Sequence, residues 1–301
     1  MSTKINALLI LLFLLSSAVG MAQGPIGGFF SAQGEGSVTA SYTYTKYDAF
    51  YVADEKSPEG GVPGLGEVDQ NIYSLYAKYG VTDDLTLVAI IPYISASGEN
   101  GPDPITGRQD IDGFQDFSLW AKYRPFSADF NGGRFDALVA AGFSLPDGYE
   151  PNGILSLGSG AFSTDFKVGG QVNLTNGLFA TALAGYSIRG NATSELGGTE
   201  TKFDVPNAIN LMGKIGYAGA KFYVEGWIAN QNSTDGVDIM GEGFTGNFPE
   251  TEVDFTSIGA SVYVPILPAL GVSVGYGTTI DGRNVGDSNY IGTGLTVNFG
   301  R

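Results

Sequence analysis

Residues 71–81 read NIYSLYAKYGV, and their side chains fall into two sets at a spacing of two. Tyr73, Leu75, Ala77, Tyr79 and Val81 form one set; Ile72, Ser74, Tyr76, Lys78 and Gly80 form the other. Successive side chains of a β-strand point to opposite faces, so an apolar set beside a more polar one marks a strand buried on one side. Residues 116–124, DFSLWAKYR, repeat the pattern, with Phe117, Leu119, Ala121 and Tyr123 opposite Asp116, Ser118, Trp120, Lys122 and Arg124. So do 38–45, where Val38, Ala40, Tyr42 and Tyr44 oppose Thr39, Ser41, Thr43 and Thr45. In 162–174, Phe162, Phe166, Val168, Val172 and Leu174 oppose Ser163, Asp165, Lys167, Gln171 and Asn173.

Outward from these, about twelve such segments cover the chain, near 36–47, 69–81, 85–95, 114–126, 134–145, 160–173, 177–189, 204–217, 220–231, 253–264, 270–280 and 288–299. Bacterial barrels have an even strand count, and each segment is near or above the roughly nine to eleven residues a tilted strand needs to cross a bilayer. Segments 85–95 and 134–145 alternate less cleanly, because both of their faces carry apolar residues. The breaks alternate in length. Short turns sit at Thr82–Asp84, Asn176–Gly177, near Ala218–Gly219 and at Ile266–Ala269, with a somewhat longer one at Ser127–Gly133. Long loops rich in Gly, Asp and Glu sit at 52–68, 96–113, 146–159, 190–203 and 232–252. Short periplasmic turns and long outer loops are the rhythm of a membrane barrel, and they put both termini in the periplasm.

On the apolar faces, Tyr79, Tyr123 and Tyr217 sit beside the short turns, and Tyr44, Tyr73, Tyr93, Phe117 and Phe143 sit toward the long loops. Two aromatic belts flanking an apolar band fit the two interfaces of a bilayer. The fold expected is therefore all-β, a transmembrane antiparallel β-barrel of about 12 strands, in contact with outer-membrane lipid. The chain ends GLTVNFGR, whose Leu295, Val297 and Phe299 alternate into a closing strand. A near-terminal aromatic is the kind of signal the outer-membrane assembly machinery reads, although Gly300 and Arg301 follow it here.

Export is written at the other end. Lys4 precedes an apolar run at 7–15, ALLILLFLL, of signal-peptide length and too short to span a bilayer. Small residues follow from Ser16 to Gly20, so cleavage is expected after Ala22, giving a signal peptide at 1–22 and a barrel domain at 23–301. No later stretch has the roughly 18 consecutive apolar residues of a membrane helix.

Composition narrows the chemistry. The chain has no Cys and no His, which removes thiol nucleophiles, Ser-His-Asp triads and His-based metal sites. A net charge of −16 is the wrong sign for a nucleic-acid partner. No phosphate-loop motif occurs, so no cofactor is expected; Gly158–Gly160 and Gly275–Gly277 suit bends and close packing. Asp110, Asp112 and Gly113, with Asp103 before and Asp116 after, suggest either a hard-cation loop or a solvated acidic loop, and the full twelve-residue cation pattern is missing.

Three stretches carry a family resemblance: KYGVTDDLTLVAIIPY at 78–93, GFQDFSLWAKYR at 113–124 and GFSLPDG at 142–148. They resemble the meta-pathway phenol-degradation family of outer-membrane proteins. Phe114 and Gln115 depart from that family's usual x-Gly, and Asp147 from its usual Thr. The resemblance implies an outer-membrane barrel that imports aromatic or other hydrophobic compounds. Unlike the long-chain fatty-acid transporters, this chain has only residues 23–36 between the expected cleavage site and the first strand. They could tuck into the lumen but are too few for a hatch domain.

The candidate site is the lumen. Lys78, Lys122, Lys167 and Lys214 recur close to the hairpin period on polar strand faces, along one wall with Arg124. They read either as a basic constriction favouring anions or as braces paired with Asp116, Asp165 and Glu225. Trp120 and Tyr76 also face inward by parity, either to stack an aromatic ligand or to fill a lumen of this size. Two functions compete: a channel for small, aromatic or hydrophobic solutes, and a plugged structural or interaction barrel whose acidic outer loops bind a partner. An enzyme using Asp or Glu is a third class, and no residue singles it out.

Overall fold

Period-two patterning becomes strand along nearly the whole chain. The structure, a computed structural model, describes residues 26–300; the expected signal peptide and its cleavage site lie outside the described residues. The strands are β1 (Gly36–Val52), β2 (Glu55–Lys56), β3 (Val68–Thr82), β4 (Leu85–Gly98), β5 (Asp110–Phe114), β6 (Phe117–Phe130), β7 (Gly133–Leu145) and β8 (Ser163–Leu174). They continue as β9 (Leu178–Arg189), β10 (Asn191–Leu196), β11 (Thr199–Asp204), β12 (Ala208–Ala218), β13 (Tyr223–Ser233), β14 (Asp254–Leu267), β15 (Leu270–Arg283) and β16 (Gly286–Phe299).

Twelve of these close a barrel in the order β1-β3-β4-β6-β7-β8-β9-β12-β13-β14-β15-β16, every neighbour antiparallel. The ends meet where β1 pairs with β16, from Gly36 opposite Phe299 to Phe50 opposite Gly286. Closure leaves no unpaired sheet edge, the condition for β-structure inside a bilayer. Each of the twelve expected segments is one barrel strand. The short β5 extends the line of β6 upward by pairing with β4, from Tyr93 opposite Phe114 to Ser97 opposite Asp110.

Three boundaries differ from the sequence reading. The connection expected at Ser127–Gly133 is a tight turn, because β6 runs on to Phe130. A register shift between Tyr123 and Phe126 hides this continuation: Pro125 sits in the bulge, where the side-chain alternation slips. The loop 190–203 is largely the β10–β11 hairpin, outside the barrel sheet. And β15 meets β16 through a tight turn, with Asn284 at a φ of 49°, so the last outer connection is short.

Outward faces carry the apolar band. Tyr73, Leu75, Tyr79, Tyr123, Phe166, Val168 and Ile215 are all exposed on the wall. Inward residues behave differently from strand to strand, and β4 is the extreme case. Its inward Val88, Ile90, Pro92, Ile94 and Ala96 are all buried. This explains the poor alternation of 85–95: one face meets lipid and the other meets protein packed inside the barrel. The inward Leu138 and Ala140 of β7 give the same account of 134–145.

Candidate functional site: the lumen between two plugs

The lower lumen is filled by the chain's own N-terminal segment. Gly34, at a φ of 78°, turns the chain back from β1 into the bore. Its N–H donates to Gly80 O at 2.8 Å, and the Ser31 N–H donates to Thr86 Oγ1 at 3.2 Å. A Cβ on Gly80 would stand 2.1 Å from Ala32 O, so only glycine lets the segment pass there. Higher up, Ile26 is 1% exposed and packs in one cluster with Val88, Ile90, Trp120, Leu138, Leu183 and Met212. Phe29 crosses to the far wall and meets the rings of Phe179 and Tyr223 edge-on at 5.0 and 5.9 Å.

Lys122 anchors this plug. Its ammonium donates to Gly27 O at 3.0 Å and Phe29 O at 2.5 Å, and lies 4.3 Å from the centre of the Phe30 ring. Arg124 also lies 5.0 Å from the centre of the Phe30 ring while donating to Asp84 Oδ1 and Asp83 O, both at 2.8 Å. Tyr76 packs against the same apolar cluster as Phe30. Trp120 belongs to that cluster too, 6% exposed, its ring against Gly142, where a Cβ would fall 2.2 Å from the indole.

The expected lysine–carboxylate braces are mostly not formed. Lys214 pairs with Glu225 at 3.2 Å, and Glu225 also accepts from Tyr223 Oη and, at 3.2 Å, from Ser261 Oγ. Asp165 is taken by the hydroxyls of Ser187 and Ser163, and Asp116 by the phenol of Tyr149. Neither is within ion-pair distance of Lys78, Lys122 or Lys167, none of which makes an ion pair among the described residues. Lys167 instead lies 5.6 Å from the centre of the Trp120 ring.

The outer mouth is closed by a second plug. Leu65 from the first outer loop and Leu155 and Leu157 from the third are nearly fully buried against Val68, Ile94 and Ala96. Asp103, fully buried, ties the second outer loop to the third: its Oδ2 accepts from the N–H groups of Ile154 at 2.6 Å and Leu155 at 2.9 Å, and its Oδ1 from Ile105. Asp112 accepts from Tyr93 Oη. Asp103 and Asp116 are therefore loop latches, and no acidic cluster among the described residues is arranged to hold a metal ion. At the Asp116–Tyr149 latch, burial and the neighbouring carboxylate push the tyrosine hydroxyl well above its usual range, and burial raises the Asp116 carboxyl.

Between the plugs lies a chamber of about 330 Å³. Leu183 and Met212, shared with the lower plug, form its floor; Tyr47 and Ile72, shared with the upper, its ceiling. Hydroxyls and amides of Thr43, Thr45, Gln70, Asn210, Ser257 and Thr279 supply the polar lining, and Lys167 is the sole charged residue in it. The wall of β14 to β16 is thin there. Inward glycines let rings lie flat: a Cβ on Gly277 would meet Tyr290 Oη at 2.0 Å, and one on Gly259 would meet Trp227 at 2.3 Å. Trp227 and Tyr290 stack at 6.3 Å. Sequence reasoning missed the chamber because its lining comes from nine strands; the one available signal was the run of glycines in 271–277.

The family described as "Putative MetA-pathway of phenol degradation" matches residues 59–297. The chain belongs to that family. No curated protein matches it significantly. An outer membrane channel from Pseudomonas putida F1 is similar in structure, with a TM-score of 0.69 and 14% identity, over 90% of this chain and 97% of that one. Looser likenesses include the translocator domain of autotransporter NalP from Neisseria meningitidis, with a TM-score of 0.48 and 11% identity over 89% and 90% of the two chains. The CymD monoaromatic hydrocarbon channel gives a TM-score of 0.47 and 10% identity over 95% and 97%. At these identities the likeness is one of fold, and the fold is that of outer-membrane barrels.

Proposed function

We propose that this barrel is a non-enzymatic channel for small hydrophobic or aromatic solutes, closed at rest by its N-terminal segment. The observation that carries the reading is the apolar lining of the lower lumen. A barrel of this size can be filled by the side chains of its own wall. Here Val88, Ile90, Leu138, Leu183 and Met212 converge on one removable residue, Ile26. When the segment withdraws, an apolar bore remains, suited to an apolar solute. The family's description and the channel from Pseudomonas putida F1 support the same reading.

In this reading residues 1–22 are the export signal, lipid contacts the apolar outer band, and the assembly machinery reads the closing strand that ends at Phe299. The test compares planar-bilayer conductance of the mature protein with that of a variant lacking residues 23–34. The intact protein is expected to show rare or small openings, and the truncated one sustained openings at least about threefold larger. A truncated barrel that folds, yet passes neither current nor small aromatic solutes into liposomes, would overturn the proposal in favour of a plugged interaction barrel.

A further inference from the structure

The chamber singles out one class of solute. In a chain with a net charge of −16, the one charged residue lining it is a cation, Lys167. The nearest carboxylate on the same strand, Asp165, is engaged by Ser187 and Ser163, and Lys167 makes no ion pair among the described residues. The ammonium rests over Trp120, whose indole N–H is buried without a hydrogen-bond partner. The buried ammonium thus has an indole face and, two residues away, a carboxylate already engaged by two hydroxyls, but no ion pair, an arrangement that is costly until a closer acceptor arrives.

We infer that the chamber between the two plugs is a binding site for a small organic monocarboxylate with an apolar body, of about the size of benzoate, its carboxylate held by Lys167. This deepens the channel reading and rests on it. A single cation balances a single negative charge; a dianion would bury an unpaired charge, and a neutral solute would leave the lysine unmatched. Leu183 and Met212 below, and Ile72 and Tyr47 above, offer the apolar body its contacts. A chamber of about 330 Å³ is at the small end of ligand sites. The hydroxyls of Thr43, Thr45, Ser257 and Thr279 in the lining add weaker donors to the carboxylate.

The experiment is calorimetric titration of the detergent-purified mature barrel with benzoate and, separately, with benzamide, which keeps the shape and removes the charge. Benzoate is expected to bind at least tenfold more tightly. Lys167→Met should bring benzoate down to the level of benzamide, and Lys167→Arg should keep most of the preference. Equal affinities for the two probes in the unmodified protein, no benzoate binding at all, or undiminished benzoate binding in Lys167→Met would overturn the inference. The comparison of probes needs no variant, so a misfolded mutant cannot obscure it. Liposome flux separates this from the function above. Charge-dependent binding without any solute flux leaves the site standing and removes the channel; flux without preference for benzoate does the reverse.

Discussion

The two halves of the lumen wall solve opposite problems. From β4 to β9 bulky inward side chains meet at one level, where Val88, Ile90, Leu138, Leu183 and a Trp120 seated over Gly142 grip Ile26. From β14 to β16 the inward positions are small, and Gly275 faces Gly292 across the strand pair. The first half fills space with side chains; the second creates space by removing Cβ atoms and laying the rings of Trp227 and Tyr290 against the backbone. One closed sheet thus has a gripping side and an open side, and the chamber exists because the two are not the same.

The comparison breaks most readily at Gly259. A Cβ there would lie 2.3 Å from Trp227 and also 2.3 Å from Tyr276 O, and the carbonyl oxygen belongs to backbone that cannot rotate away. Gly259→Val should therefore cost at least about 3 kcal/mol, the upper end of overpacking costs. Tryptophan fluorescence during denaturant unfolding in micelles measures it, and a midpoint like that of the unmodified barrel would show that the open side has slack. On the gripping side, Leu138 is 1% exposed, and Leu138→Ala should cost about 2–5 kcal/mol by leaving a void. A loss below about 1 kcal/mol would mean that the plug follows the wall inward and the packing is adaptable. The smallest effect belongs to the polar link between the halves. Glu225→Gln keeps the size but removes a carboxylate that accepts from Lys214, Tyr223 and Ser261, for an expected loss of about 1–3 kcal/mol. If stability rises instead, the ion pair is there for geometry rather than for strength.

How much of this was readable in the sequence depends on which solvent each face meets. Strands such as 71–81 announce themselves because lipid on one side and a mixed interior on the other enforce period two. Where protein fills the lumen, the period fades: Val88 and Ile90 face a plug, and their apolar character blurs the alternation without saying why. Residues 26–35 carry no periodicity at all, so nothing in Ile26 to Phe30 distinguishes a plug from a linker. Parity placed Lys78, Lys122, Lys167 and Lys214 inside, but not their partners. Those depend on contacts far apart in the chain, such as Lys122 with Gly27 O and Asp116 with Tyr149, which no local pattern encodes. Of the two readings of the lysines, bracing is realised at Lys214 with Glu225, whereas Asp116 and Asp165 accept from Tyr149 and from Ser187 and Ser163 without an ion pair to a lysine.

The plug is joined to the barrel through Gly34 and Glu35, directly ahead of β1. It enters from the open lower end, so it can leave without breaking any bond between barrel strands. Its tether is only a few residues long, which holds it at an effective local concentration in the millimolar range. In the proposed opening, a weak grip would then be enough to restore the closed state. Resealing becomes a first-order event, independent of how many copies the membrane holds and of any outside partner.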